Sequence, residues 1–429
     1  MKTARMLTAA GLLAASSLAL TGCGGGTAVA PATPTDVHLR MTVFTSNADQ
    51  LALFNSIADD YMAKHPEVTK VTFDPLPFAD YTTTLTTQIA GGTAPDLAWI
   101  FENSAPDFVK SGALAPIEDT LKNTAGYDFA DLNSAATALW KRDNKLIAYP
   151  FSTSPFVVFA NDDLLAAAGQ PTSAELQAQG KWNWESLSDV GSAVNKATGK
   201  AGFVIRDFDY TGWQNLATVW MGWGAEPWNA DGSKCEFDSS KMADAFTFLH
   251  DAAFVKKSMP GPGSTADFFA GESAFTVTQI SRASLLKAGG FAWNMLPLPE
   301  GPVGSYSIIG QAGLGVMARG KNVKVATDFL AFFTNPDNSK KLARYFPPAR
   351  NSQINAETLS AANPVLKAQQ IADVVVPGIS TGVVLPSHAN AAEIGQKVRA
   401  SLDAVWTPDA DVPAVLKSVC GSIDSLLKK

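Results

Sequence analysis

The sequence predicts an α/β fold, because three patterns succeed one another between residues 37 and 101. Val37, Leu39, Met41 and Val43 alternate with polar residues, the period of a strand. Leu51, Phe54, Ile57, Ala58 and Tyr61 recur at helical spacing, and Leu97–Phe101 is a short apolar run between turn signals. Strands alternating with helices call for a parallel sheet covered by helices on both faces. In such sheets a ligand sits outside the carboxyl ends of the strands.

The chain opens with Lys2 and Arg5, then an apolar stretch over residues 6–20 that ends in small residues. A basic start and an apolar core too short to span a bilayer make a secretory signal, assigned to residues 1–22. The junction Leu20-Thr21-Gly22-Cys23 resembles the lipobox of bacterial lipoproteins. That likeness implies that Cys23 becomes the acylated N-terminus, a lipid anchor on the outer face of the cell membrane. Residues 23–36 are a flexible tether of Gly, Ala, Pro and Thr with almost nothing to bury.

Residues 37–44 then read as a strand, Thr45-Ser46-Asn47 as a turn and N-cap, and His65-Pro66 as the stop of the first helix. Val71 and Phe73 suit a second strand, and Tyr81, Leu85 and Ile89 a second helix closed by Gly91-Gly92. Residues 146–148 and 156–160 read as two strands joined by a loop over 149–155. Residues 308–317 are a strand region carrying Gly310, Gly313 and Gly315, whose spacing suits close approach of the backbone to a ligand. Val325, Phe329, Leu330 and Phe333 share a helix face, and Asn335-Pro336 caps the helix that follows. Residues 398–427 hold two amphipathic helices around a loop at 407–413.

Composition narrows the function. Removing residues 1–22 takes away Lys2 and Arg5 and no acid, which moves the formal charge from −7 to −9. An acidic chain with no run of Lys or Arg is a poor polyanion binder, so no nucleic-acid partner is expected. His38, His65, His250 and His388 are scattered without HExxH or CxxC spacing, so neither metal nor cofactor is expected. With Cys23 committed to lipid, Cys235 and Cys420 are left as a disulfide or as two buried thiols. No GxSxG elbow, zinc motif or phosphate loop occurs.

Several segments stand in a telling order: residues 94–97 (APDL), 111–117 (SGALAPI), 145–151 (KLIAYPF), 159–165 (FANDDLL), 182–187 (WNWESL), 269–275 (FAGESAF) and 296–299 (LPLP). In that order and spacing the chain resembles the extracellular solute-binding proteins of ABC importers, family 1, the carbohydrate binders that include maltose-binding protein. The likeness covers nearly all of the mature chain. It implies a two-lobe, periplasmic-binding-protein-like (Venus-flytrap) α/β fold, with crossings near residues 152–156, 308–313 and Ala356. Lobe 1 would comprise residues 37–153 and 312–356, and lobe 2 residues 154–311 and 357–429. Cys235 and Cys420 then share lobe 2, which favours the bridge. The implied role is a monomeric, non-enzymatic lipoprotein that captures a mono- or disaccharide and delivers it to membrane permease subunits served by a cytoplasmic ATPase. A secreted glycosidase, which needs two opposed carboxylates, and a sugar-sensing receptor are the alternatives.

A sugar offers hydroxyls that need polar partners and C–H faces that stack on aromatic rings. Of 10 Trp residues, Trp213, Trp220, Trp223 and Trp228 cluster after a strand end at residues 206–210. Trp213 or Trp223 is expected to stack on a pyranose, with Asp209 taking its hydroxyls beside Tyr210. The resemblance places Asn103, with Glu102 beside it, at a position that binds sugar hydroxyls. Thr45, Ser46 and Asn47 are the candidates at the first strand end, one of them also a helix cap. Gln311 lies on a crossing segment, and Arg350 would either fork onto adjacent hydroxyls or pair with an acid. Ser154 falls where maltose-binding protein has an acidic contact, and Ile100 and Ser281 fall where it has stacking Trp residues. These departures point away from long maltodextrins and towards a smaller sugar.

Overall fold

The structure is a computed structural model that describes residues 36–206, 212–261, 263–287 and 289–428. Cys23, Asp209 and Tyr210 lie outside the described residues.

The first unit runs β1 (Val37–Val43), α1 (Ala48–Met62), β2 (Val68–Pro75), α2 (Tyr81–Ala90), β3 (Leu97–Phe101) and α3 (Ala105–Lys110). Period-two burial in β1 leaves His38 and Arg40 exposed and buries Val37, Leu39 and Met41. Phe54, Ile57, Ala58 and Tyr61 form the buried face of α1. The chain then enters β4 (Ala148–Asn161), α4 (Trp184–Thr198), β5 (Ala201–Ile205), α5 (Ser240–Phe254), β6 (Ser273–Gln279) and β7 (Trp293–Leu296). It returns through β8 (Ile308–Val316), α6 (Val323–Phe333), α7 (Pro336–Leu342) and α8 (Ala356–Ala362). Strand β9 (Val383–Val384) and the helices α9 (Ala391–Leu402) and α10 (Val412–Leu427) complete it.

Strand order in the main sheet is β2-β1-β3-β8-β4-β6-β5, with β9 beside β8 and β7 beside β4. β1 is parallel to β2 and β3, and β5 to β6. β8 runs antiparallel to both β3 and β4, and β4 antiparallel to β6 and β7. The parallel pairing expected over residues 37–101 holds for β1, β2 and β3, and the sheet as a whole is mixed because two long strands return through its middle.

The expected break at 149–155 is also corrected: β4 is one strand of 14 buried residues. Proline is tolerated in a sheet only where its missing N–H is not needed. Pro150 stands beside a register shift opposite Gly313, and Pro155 where the strand changes partner from β8 to β6. Gly313 makes room for protein rather than ligand, since a Cβ there would lie 2.5 Å from the ring of Trp140.

The apolar core falls into separate bodies. Leu39, Met41, Phe54, Trp99, Phe151, Leu314, Phe329 and Phe333 gather in the first. Beyond the crossing, Phe156 and Val158 of β4 face a second core with Trp184, Phe203, Trp220, Val398 and Leu416. Val157 and Phe159, on the other face, join a third with Phe268, Met295, Ile371 and Val375. A further passage lies after α7: Tyr345 and Phe346 pack in the first core, while Ala343 and Leu359 pack in the third. A disulfide joins Cys235 to Cys420 on α10, with Cα atoms 5.3 Å apart. Among the described residues no helix is long and apolar enough to cross a membrane.

Candidate functional site: a cleft between the lobes

A cleft of about 490 Å³ lies where the two long strands pass between the core bodies. Ser152 and Ser154 of β4 and Gly310, Gln311 and Ala312 of β8 line its base. The first half contributes Phe44 and Phe78 and the segment 101–104 at the carboxyl end of β3. The second half contributes Arg206, residues 212–215, Gln279, Ser281 and Arg282. It also presents one face of α9, namely Ala391, Ala392, Gly395, Gln396 and Arg399. Their spacing of three and four residues is that of a single helix face. The opposite face buries Ile394, Val398 and Leu402 in the second core, which fixes how α9 is turned.

One wall is aromatic. Phe44 lies 4.9 Å from Phe101 and 5.7 Å from Phe78, and Trp99 backs it at 4.3 Å. Phe78 is 43 % exposed, an apolar ring partly open to a polar cleft. From the second half the guanidinium of Arg206 lies 4.4 Å over the Phe78 ring. On that side Trp213 is stacked on Trp220 at 6.0 Å, and its Nε1 has no hydrogen-bond partner among the described residues.

Polar residues stand among these walls. Asn103 Oδ1 and Gln311 Oε1 are buried and have no partner among the described residues, while Gln311 Nε2 donates to the Ala136 carbonyl at 3.3 Å. The Ser281 N–H donates to Ser154 Oγ at 3.3 Å. Burial pushes the Glu102 carboxyl up to about 7, against the opposing pull of backbone N–H groups and of Arg206.

Of the residues singled out in the sequence, Glu102, Asn103, Ser154, Trp213, Ser281 and Gln311 line this cleft. Others are placed elsewhere. Asn47 caps α1 by accepting from the N–H groups of Asp49 and Gln50, Thr45 accepts from the Asn47 N–H, and neither they nor Ser46 line the cleft. Trp223 packs against Phe248 at 5.1 Å, on the second core. Arg350 is fully buried and serves the fold: it donates to the carbonyls of Asp128 and Thr334, both at 3.1 Å. Ile100 is core. Phe44, Phe78, Phe101 and the α9 face also line the cleft, and nothing in the sequence marks them as ligand contacts. The phenylalanines look like core, and Ala391, Ala392 and Gly395 carry no chemistry of their own. The only pattern was small residues opposite the apolar stripe of an amphipathic helix.

A profile of the bacterial extracellular solute-binding proteins matches residues 56–368. An uncharacterized lipoprotein of Streptomyces antibioticus is 25% identical over 348 residues, covering 77% of this chain and 73% of that protein. An ABC substrate-binding protein of Listeria monocytogenes, solved in complex with cycloalternan, superposes with a TM-score of 0.78. It is 20% identical, and the match covers 92% of this chain and 99% of that one. Maltose-bound MalE3 of T. maritima matches with a TM-score of 0.77 and 18% identity over 91% of this chain and 99% of its own. At such identities the structures share the fold. The profile covers most of the chain, and with it the chain belongs to the bacterial extracellular solute-binding proteins, which hold a solute rather than convert it.

Proposed function

We propose that this chain is the capturing component of an ABC importer, closing its two halves around a mono- or disaccharide and handing it to the membrane permease. The observation that carries this reading is the set of atoms, in an aromatic-walled cleft, that have no partner among the described residues. Asn103 Oδ1 and Gln311 Oε1 require donors, and Trp213 Nε1 requires an acceptor. A sugar hydroxyl is both at once. Each buried group left unmade costs about 1–3 kcal/mol, so a polyol that satisfies all three regains that penalty on binding. Phe44, Phe78 and Phe101 offer rings for the C–H faces of the same molecule. The sugars named with the Listeria and T. maritima structures support the same class.

In this reading lobe 1 is residues 37–153 with 312–356, lobe 2 is residues 154–311 with 357–429, and the solute draws them together. Moving an open-to-closed ratio from 1:99 to 99:1 takes about 5.5 kcal/mol of differential affinity, within reach of several such contacts. The lipid anchor on Cys23 and the extracytoplasmic tether belong to the proposal, supported by the lipoprotein relative. A thermal-shift and tryptophan-fluorescence screen against mono- and disaccharides tests it, with peptides, polyamines and sugar phosphates as controls. Stabilisation by a neutral sugar is the expected result. Stabilisation by controls alone, or release of a reaction product from the bound sugar, overturns it.

A further inference from the structure

Asp107 belongs to one half of the molecule, and the hydrogen bonds of its carboxylate reach the other. It lies in the first turn of α3, whose Phe108 and Val109 pack in the first core. Its Oδ1 accepts from the Asn390 N–H at 2.9 Å, and its Oδ2 from the Ala391 N–H at 3.2 Å. Those two N–H groups open α9, whose Ile394, Val398 and Leu402 pack in the second core.

A helix start leaves its first N–H groups without intrahelical partners, and the N-cap side chain normally accepts one of them. α9 has no such cap. Asn390 holds the N-cap position with a left-handed φ of 63°, and its amide instead donates to the Leu426 carbonyl at 3.4 Å. The missing acceptor comes from the opposite lobe, as a carboxylate facing the positive end of the helix dipole. Ala391 and Ala392 also line the cleft, so the contact sits at its edge.

We propose that Asp107 is a positioning residue that caps α9 in trans, ties the two lobes together and sets the share of closed molecules without touching the solute. α3 moves with the first core and α9 with the second. The lobes therefore cannot part without stripping both N–H groups of their acceptor. The contact is local to neither lobe, so a substitution there changes lobe closure and leaves each core intact. This rests on the capture-by-closure reading, but the chemical class of the solute does not enter it.

The test uses the full chain in sugar-free buffer, as wild type, Asp107→Ala and Asp107→Asn. Asparagine keeps one acceptor and loses the charge, and alanine loses both. Amide hydrogen exchange at Asn390 and Ala391 is expected to quicken by about tenfold or more in Asp107→Ala and by less in Asp107→Asn. Small-angle scattering of Asp107→Ala should show a larger radius of gyration, with thermal unfolding still cooperative. Equal exchange in the three proteins overturns the proposal. Faster exchange with an unchanged radius also overturns it, since that marks a local cap and no tie between lobes. A failed sugar screen leaves all of these readings as they are, so the two ideas fail separately.

Discussion

Trp213 and Gly395 meet in the second-lobe wall of the cleft: a Cβ built on Gly395 would stand 3.7 Å from the indole Nε1. That is ordinary van der Waals contact, so alanine fits. In a helix it should raise stability by about 1 kcal/mol through its higher propensity. The same methyl would pack against the buried donor that the proposed sugar needs. Gly395→Ala is therefore expected to melt higher and bind sugar more weakly, as read by calorimetric titration. Trp213→Phe, which keeps a ring and removes the N–H, should lose about 1–2 kcal/mol of affinity. Wild-type affinity in both variants would place the indole outside the reach of the ligand.

Glu102 makes stability depend on pH in a direction opposite to that of a paired surface carboxylate. Its folded value is about 7 against 4.5 for the ordinary side chain, with burial as the main cause. Between these values the folded chain holds a proton that the unfolded chain has released. Stability contributed by this group accordingly falls as pH rises through that window, and the loss is complete above about pH 7. Glu102→Gln removes the slope. The melting temperature of the variant minus that of wild type should grow between about pH 5 and pH 8. A constant difference over that range would show a carboxyl that ionises as in water.

What was legible in the chain follows from how far apart the deciding contacts lie. β1, α1, β2, α2 and β3 are written in local periodicity, and Glu102 and Asn103 follow from the rule that ligands sit beyond strand ends. β4 was not legible. Pro150 and Pro155 look like breakers until their partners Gly313 and Ile309, far along the chain, show that neither N–H is needed. Trp213 and Trp223 are the same residue type ten positions apart, and only tertiary packing puts one in the cleft wall and the other against Phe248. Asp107 gave no sign at all, because its partners are backbone N–H groups of residues 390 and 391.

Arg350 looks like a ligand fork in the sequence and acts as a structural clamp in the fold. It is 0% exposed, its guanidinium lies 4.6 Å over Tyr127, and it reaches Asp131 at 3.9 Å. Arg350→Met would fill the volume but leave the carbonyls of Asp128 and Thr334 without their donor. Breaking a buried charged group away from its partners costs about 3–5 kcal/mol. Urea unfolding should show a loss of that order, while the folded fraction binds sugar as wild type does. Asn103→Ala should behave in the reverse way, losing affinity and little stability. An Arg350 variant that unfolds normally but cannot bind would return this residue to the site.

The Cys235–Cys420 disulfide closes a span of 185 residues, and both ends lie in the second core. Cross-linking restricts the unfolded chain more as the closed loop lengthens, which puts the expected gain at about 2–5 kcal/mol. Its placement gives it a second effect. The backbone of Cys235 pairs antiparallel with that of Trp228, whose ring stands edge-on to Trp213 at 6.3 Å. Cys420 lies on α10, the helix against which α9 packs. One covalent link thus joins the segment backing Trp213 to the helix pair carrying Gly395, two parts of the same cleft wall. The double variant Cys235→Ser, Cys420→Ser should unfold at lower denaturant and release sugar faster, by less than about tenfold, because the wall is loosened and its contacts are kept. Loss of stability with an unchanged release rate would show that packing alone holds Trp213 in place.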